Sequence, residues 1–167
     1  MGFAEAERET VPIIRYDERV AIITGAGAGL GACYAEFLAS RGAKVVVNDF
    51  DKAAAESVVL AIYAAGGEAV AVVGCVTQCA DAIVAAAMDK WGRIDIIISN
   101  AGVLRDQSFH RMTQANFELV LKVHLFGTYA VCRAAWPHMR EAGYGRVVLI
   151  TSVNGLYGAY GQVRRCH

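Results

Sequence analysis

The stretch Val20-Ala-Ile-Ile-Thr-Gly-Ala-Gly-Ala-Gly-Leu-Gly31 decides the fold class. Val20 to Thr24 is a short apolar run that closes on glycines, which reads as a buried strand. Residues 29–41 follow with helical spacing and end at Arg41-Gly42, a helix C-terminus signal. Gly25, Gly29 and Gly31 allow a tight turn and a close approach of backbone to a pyrophosphate. The helix start then offers free N–H groups and the positive end of its dipole. A glycine-rich turn alone says little. Between a strand and a helix it has the context that dinucleotide binding needs, and a plain glycine turn is the competing reading.

The same rhythm continues outward. Lys44 to Asp49 reads as a second strand, and Lys52 to Ala65 as an Ala-rich helix stopped by Gly66-Gly67. Ala69 to Val73 is a third strand. Ala80 to Trp91 is a third helix, stopped by Gly92, and Ile94 to Ser99 is a fourth strand. After a loop with Arg105, Asp106 and His110, Thr113 to about Met139 reads as one long helix, bent or broken near Pro137. Arg146 to Thr151 is a fifth strand, and the last sixteen residues show no periodicity. Strands that alternate with helices predict an α/β fold with a doubly wound parallel sheet. Near-continuous Val/Ile runs fit strands covered on both faces. Residues 1–18 read as a polar lead-in and 19–167 as the domain.

Asp49 ends the second strand, eighteen residues after Gly31. An acid there hydrogen-bonds the adenosine ribose hydroxyls in dinucleotide folds. It would repel a 2′-phosphate, and Lys52 is the sole cation near it in sequence. Asp49 therefore favours NAD over NADP; a solvated acid at a strand end is the bland alternative. The glycine turn with its acid fits an S-adenosylmethionine site equally well, and later segments must separate the two.

Composition narrows the classes. Hydrophobic residues are 56% and charged residues 19% of 167, which excludes a disordered chain. Net charge is zero, so nothing steers the chain to nucleic acid or anionic lipid. No apolar run reaches the length of a membrane span. Met1 to Thr10 carries Glu5, Glu7, Arg8 and Glu9 and lacks the apolar region of a secretory signal. Arg165-Cys166-His167 is no peroxisomal signal, so the expected location is cytoplasmic. Of the five cysteines, Cys33, Cys75, Cys79 and Cys132 fall in apolar stretches and read as reduced core thiols. Cys75 and Cys79 lack a His at ligand spacing, and no metal site is expected.

Three segments resemble the short-chain dehydrogenase/reductase family and not a methyltransferase. Thr24-Gly25-xxx-Gly29-Leu30-Gly31 is similar to its glycine turn. Ser99-Asn100-Ala101-Gly102 looks like its N-N-A-G motif. Thr151-Ser152 stands where it keeps a catalytic Ser. Gly102 to Phe109, Val123-His124-Leu125, Arg133 to Met139 and Gly155 to Gly158 are similar to the (3R)-hydroxyacyl-CoA dehydrogenase module of peroxisomal multifunctional enzymes and bacterial relatives. The resemblance spans roughly residues 14–162. It implies a Rossmann-like sheet in the order 3-2-1-4-5, with the last part of the family's fold missing. It implies NAD held by Thr24, Gly25, Gly29, Leu30, Gly31, Asp49, Val76, Asn100, Ala101 and Gly102. It implies that Ser152 steadies a substrate oxygen, while His124 replaces the Asn of the usual proton relay. It also implies a small-molecule alcohol or acyl-CoA substrate, with a homo-oligomer formed through helix 113–139.

The departures from the family are equally specific. Arg165 stands where an Asn-Tyr pair should put its Tyr, and the expected Lys position lies beyond His167. Tyr160-Gly-Gln-Val-Arg164 mimics a Y-x-x-x-K pattern, but too close to Ser152. Cys75 replaces an Asp that often touches the adenine edge. Three readings stay open: an NAD-dependent dehydrogenase by descent, a truncated non-catalytic dinucleotide-binding or dimer-forming fragment, and a truncated product without a stable fold. Trp91, Trp136, Met112 and Met139 read as core or interface packing.

Overall fold

The computed structural model describes residues 14–157. The sequence expectations for Tyr160, Arg164, Arg165 and Cys166 lie outside the described residues.

Five strands form one parallel sheet: β1 (Val20–Thr24), β2 (Lys44–Asp49), β3 (Glu68–Val73), β4 (Ile96–Ser99) and β5 (Arg146–Leu149). Their order is β3-β2-β1-β4-β5, as the sequence implied. Helices α1 (Gly29–Ser40), α2 (Lys52–Ala64) and α3 (Ala80–Trp91) link the first four strands. α4 (Gln114–Leu121), a π turn (Lys122–Gly127) and α5 (Thr128–Glu141) lead into β5, and a short α6 (Asn154–Tyr157) follows.

The alternation of side chains along each strand sorts the core into two layers. Ala21, Ile23, Val45, Val47, Ile96 and Ile98 pack with α1 and α2 on one face. Val20, Ile22, Val46 and Ile97 pack with α3 and α5 on the other. Both faces of β1 and β2 are thus covered, which is why their sequences are continuously apolar. β5 lies at the edge. Val147, Val148, Leu149 and Ile150 remain 40%, 46%, 52% and 39% exposed.

The buried Asp95 fixes the end of the sheet opposite the glycine turn. Its Oδ2 accepts the Val20 N–H at 2.9 Å, and its Oδ1 meets Arg19 at 2.7 Å and Arg93 at 2.6 Å. β4 therefore starts at Ile96 and not at Ile94, because Asp95 turns its carboxylate to β1 ahead of the ladder.

Two expectations need correction. The long helix runs through Pro137 to Glu141 without a break. Pro137 sits on the exposed side, where water can satisfy the carbonyl that loses its partner. The irregularity lies earlier, in the π turn at Lys122–Gly127. Cys33 is exposed and is not a core thiol, because α1 turns Ala35, Leu38 and Ala39 inward instead. Met139 is buried in the core, and Trp136 is 60% exposed, which leaves it the interface half of the expected core or interface packing.

Candidate functional site

The glycine turn is shaped by what it cannot hold. Gly25 and Gly29 take φ values of 62° and 55°, the left-handed region that glycine adopts without strain. A Cβ at Gly31 would lie 2.1 Å from the Gly25 carbonyl oxygen and 2.6 Å from Asn100 Nδ2. The start of α1 therefore presses directly on β1 and β4. Ala28 gives α1 no side-chain cap. The turn thus presents bare backbone donors and a helix dipole to anything anionic above the sheet, which fits a pyrophosphate.

Thr24 and Asn100 fasten this turn to β4. The buried Thr24 Oγ1 accepts the N–H groups of Asn100 at 3.1 Å and Ala101 at 3.0 Å. Asn100 Nδ2 donates back to the carbonyls of Thr24 at 3.0 Å and Gly25 at 2.9 Å. Four hydrogen bonds between neighbouring strand ends hold the backbone of 100–102 rigid.

Asp49 stands at the C-terminal end of β2. Its Oδ2 accepts the Gly27 N–H at 2.9 Å, and its Oδ1 accepts the Asp51 N–H at 3.0 Å. Two backbone donors aim the carboxylate at the glycine turn, where a ribose would lie. Val76, 3% exposed, is a core residue that presses against Gly127.

His124 lies in the π turn. Its Nε2 is 3.1 Å from the Val103 nitrogen and 3.0 Å from the Val103 carbonyl oxygen. Unprotonated, Nε2 accepts the Val103 N–H; protonated, it donates to the carbonyl. The contact thus survives either proton position. A Cβ at Gly102 would come within 2.6 Å of His124 Cε1, so the ring covers the glycine closely. Ser152 is half-buried, and its Oγ accepts the Asn154 N–H at 3.2 Å.

A cavity of about 800 Å³ joins Leu30, Asn100, Gly102, His124 and Ser152, with apolar walls from Leu121 and Leu149. These five predicted residues come from widely separated parts of the chain and share one space. Asp49 and Val76 do not line it and sit farther along the strand ends. Sequence reasoning missed Thr128, whose Oγ1 donates to the His124 carbonyl at 2.6 Å and lies 2.7 Å from Ser99 Oγ. This hydroxyl pair ties the π turn to β4. A Gly127-Thr128 pair inside a helical pattern was the available signal. Among the described residues, no group of three or more His, Cys, Asp or Glu could hold a metal ion. No helix among them is long and apolar enough to cross a membrane.

The model of the short chain dehydrogenase family matches residues 19–164. The chain is 48% identical over 158 residues to peroxisomal multifunctional enzyme A of Dictyostelium discoideum, covering 89% of this chain and 36% of that one. A short chain dehydrogenase from Mycobacterium avium superposes with a TM-score of 0.83 at 37% identity, covering 89% of this chain and 57% of that one. The full-length peroxisomal multifunctional enzyme type 2 of Drosophila melanogaster gives 0.78 at 43% identity, covering 91% and 26%. The chain therefore spans little more than half the length of the longest-matched of these three, and about a quarter of the least.

Proposed function

The chain belongs to the short-chain dehydrogenase family, a family of oxidoreductases, and from that premise we propose that it uses NAD to oxidise a secondary alcohol such as a 3-hydroxyacyl-CoA. One observation carries the reading: a single cavity unites Leu30, which follows the last left-handed glycine of the turn, with Asn100, Gly102, His124 and Ser152.

A bound nicotinamide dinucleotide would supply the hydride acceptor. Gly25, Gly29 and Leu30 would hold its pyrophosphate, with Thr24 and Gly31 shaping the turn beneath it. Asp49 would take the adenosine ribose hydroxyls, which favours NAD. Val76, Asn100, Ala101 and Gly102 would form the floor from adenine to nicotinamide ribose. Ser152 Oγ steadies the substrate oxygen. His124 holds or releases a proton at Nε2 without losing its grip on Val103. The apolar walls at Leu121 and Leu149 suit the carbon skeleton of an acyl chain. The names of the peroxisomal multifunctional enzymes leave the peroxisome as the alternative to a cytoplasmic setting. The dinucleotide domain would start at residue 19, after the lead-in. The exposed Leu125, Phe126, Tyr129 and Trp136 on the π turn and α5 would meet a second copy.

A second reading rests on Arg165, which occupies the position where the resemblance expects a Tyr. A guanidinium stays protonated and cannot take a substrate proton as a phenolate does. On this reading the polypeptide binds dinucleotide or pairs with another copy without turnover. Losing a positioned acid–base group typically costs about 10²–10⁴ in rate. The test combines calorimetry with NAD and NADP and absorbance of NADH over secondary alcohols and 3-hydroxyacyl-CoA esters. Binding with turnover supports the first reading, binding without turnover the second. Absence of binding defeats both.

A further inference from the structure

We propose that Cys75 and Cys79 close into a reversible disulfide that weakens the dinucleotide cleft beside them; the effect on binding rests on the functional reading above. The two residues bracket the connection between β3 and α3. The N–H groups of Gln78 and Cys79 both reach the Cys75 carbonyl, at 2.8 Å and 3.0 Å. Such a turn advances about 6 Å over four residues at helical rise, inside the roughly 4.4–6.8 Å Cα separation of disulfides. Cys75 Sγ lies 3.2 Å from Thr77 Oγ1, and Cys79 Sγ accepts from Asn48 Nδ2 at 3.7 Å. Closing the bond requires Cys75 to turn away from Thr77 and Cys79 from Asn48. Both thiols are half-buried, and Thr77 and Gln78 line a groove of about 470 Å³ with Tyr129 and Arg133.

The coupling runs through Asn48. Its Nδ2 also donates to the carbonyls of Val72 at 2.9 Å and Gly74 at 3.1 Å, so it stitches the ends of β2 and β3. Gly74 in turn donates its N–H to the Asp49 carbonyl at 2.9 Å. Cys79 Sγ packs against Gly74, so moving it shifts Gly74 and with it the backbone bond to Asp49. Val76 lies between the two cysteines and packs on Gly127 of the π turn that carries His124. One small turn thus touches both ends of the candidate site.

The oxidant is hydrogen peroxide. Cys75 sulfur attacks one peroxide oxygen; an S–O bond forms, the O–O bond breaks, and the departing hydroxide takes the thiol proton and leaves as water. Cys79 sulfur then attacks Cys75 sulfur; the S–S bond forms, the S–O bond breaks, and the departing hydroxide takes the Cys79 proton as water. Two thiols are oxidised by two electrons in total, and the peroxide is reduced to two waters. Burial, with the neighbouring Cys75, pushes the Cys79 thiol up, so Cys79 is not the sulfur that meets the oxidant first.

The experiment treats the 167-residue chain with hydrogen peroxide and maps cysteine peptides by mass before and after dithiothreitol, with NAD titrated in both states. The expected result is a Cys75–Cys79 cross-link short of two hydrogens, with NAD affinity lowered about tenfold and restored by the reductant. Cys75→Ser and Cys79→Ser should each abolish the cross-link and the difference in affinity between reduced and treated protein. A sulfinic mass gain without the cross-link, or a cross-link without a change in affinity, overturns the proposal. If the reduced chain binds no NAD, the functional reading fails separately. The switch then stands on the mapped cross-link together with faster hydrogen exchange at residues 48–51, and falls if either is missing.

Discussion

Gly102 and His124 fit together so closely that no side chain can stand between them: an added Cβ would lie 2.6 Å from Cε1 and 3.2 Å from Nε2 of the ring. The ring Nε2 is also held by Val103, through its N–H or its carbonyl according to the tautomer. It cannot retreat without giving up that contact.

Gly102→Ala should therefore expel His124 from Val103. Overpacking of this kind costs about 1–3 kcal/mol. Denaturant titration reads the loss directly. In a His124→Ala background the same substitution should cost much less, since the obstruction is gone. Equal costs in both backgrounds would show that the glycine is needed for another reason.

Asp49→Asn keeps the shape of the side chain and removes its charge. Hydrogen bonds to charged groups are worth about 1.5–3 kcal/mol, or roughly tenfold to a hundredfold in affinity. NAD binding should weaken by that order, while NADP binding changes little or improves. Calorimetry with both nucleotides measures the ratio. Tighter NADP than NAD binding by the unsubstituted chain would remove the ribose role from Asp49.

The β5 edge exposes four consecutive apolar residues, Val147 to Ile150. Such an edge templates pairing with other chains, and Lys on an edge is a known remedy. Val148→Lys should lower light scattering by the purified polypeptide at a given concentration. Unchanged scattering would locate the association elsewhere, with the exposed α5 face next in line.

The sheet was legible because each strand is bounded by glycine or acid and is too short for a helix. Val20/Ile22 and Ala21/Ile23 even carry the two-layer core in their alternation, since successive side chains face opposite helix layers. The Thr24, Asn100 and Gly102 part of the site was legible as motif. What periodicity could not show was the π turn: one extra residue per turn shifts the helix face without changing the letters. Thr128 was missed for the same reason, as its partner Ser99 is 29 residues away and is met only through that shift. Pro137 misled because a proline on a solvent-facing helix side costs less than one in the core. Cys33 misled because apolar neighbours in sequence say nothing about which face of α1 a residue takes.

Asp95 sets the acid limit of the fold. Burial alone would raise its pKa, but the bonds from Arg93, the Val20 N–H and Arg19 outweigh that, and the net shift is downward. In the unfolded chain an aspartate titrates near about 3.9. The folded value lies below this, so the native state binds its proton less readily. The stabilisation is then fully present above the unfolded value and is lost as pH falls through it towards the folded one. Stability measured by urea titration should be flat above about pH 5 from this group and decline below about pH 4. Asp95→Asn should remove that part of the decline at a cost of about 1–3 kcal/mol at neutral pH. Arg19 and Arg93 are partly exposed and can turn to water, which keeps the cost below that of a fully buried pair. If the variant keeps the same acid slope as the parent, other carboxylates govern the transition, and the Arg19–Asp95–Arg93 cluster is not what fails first.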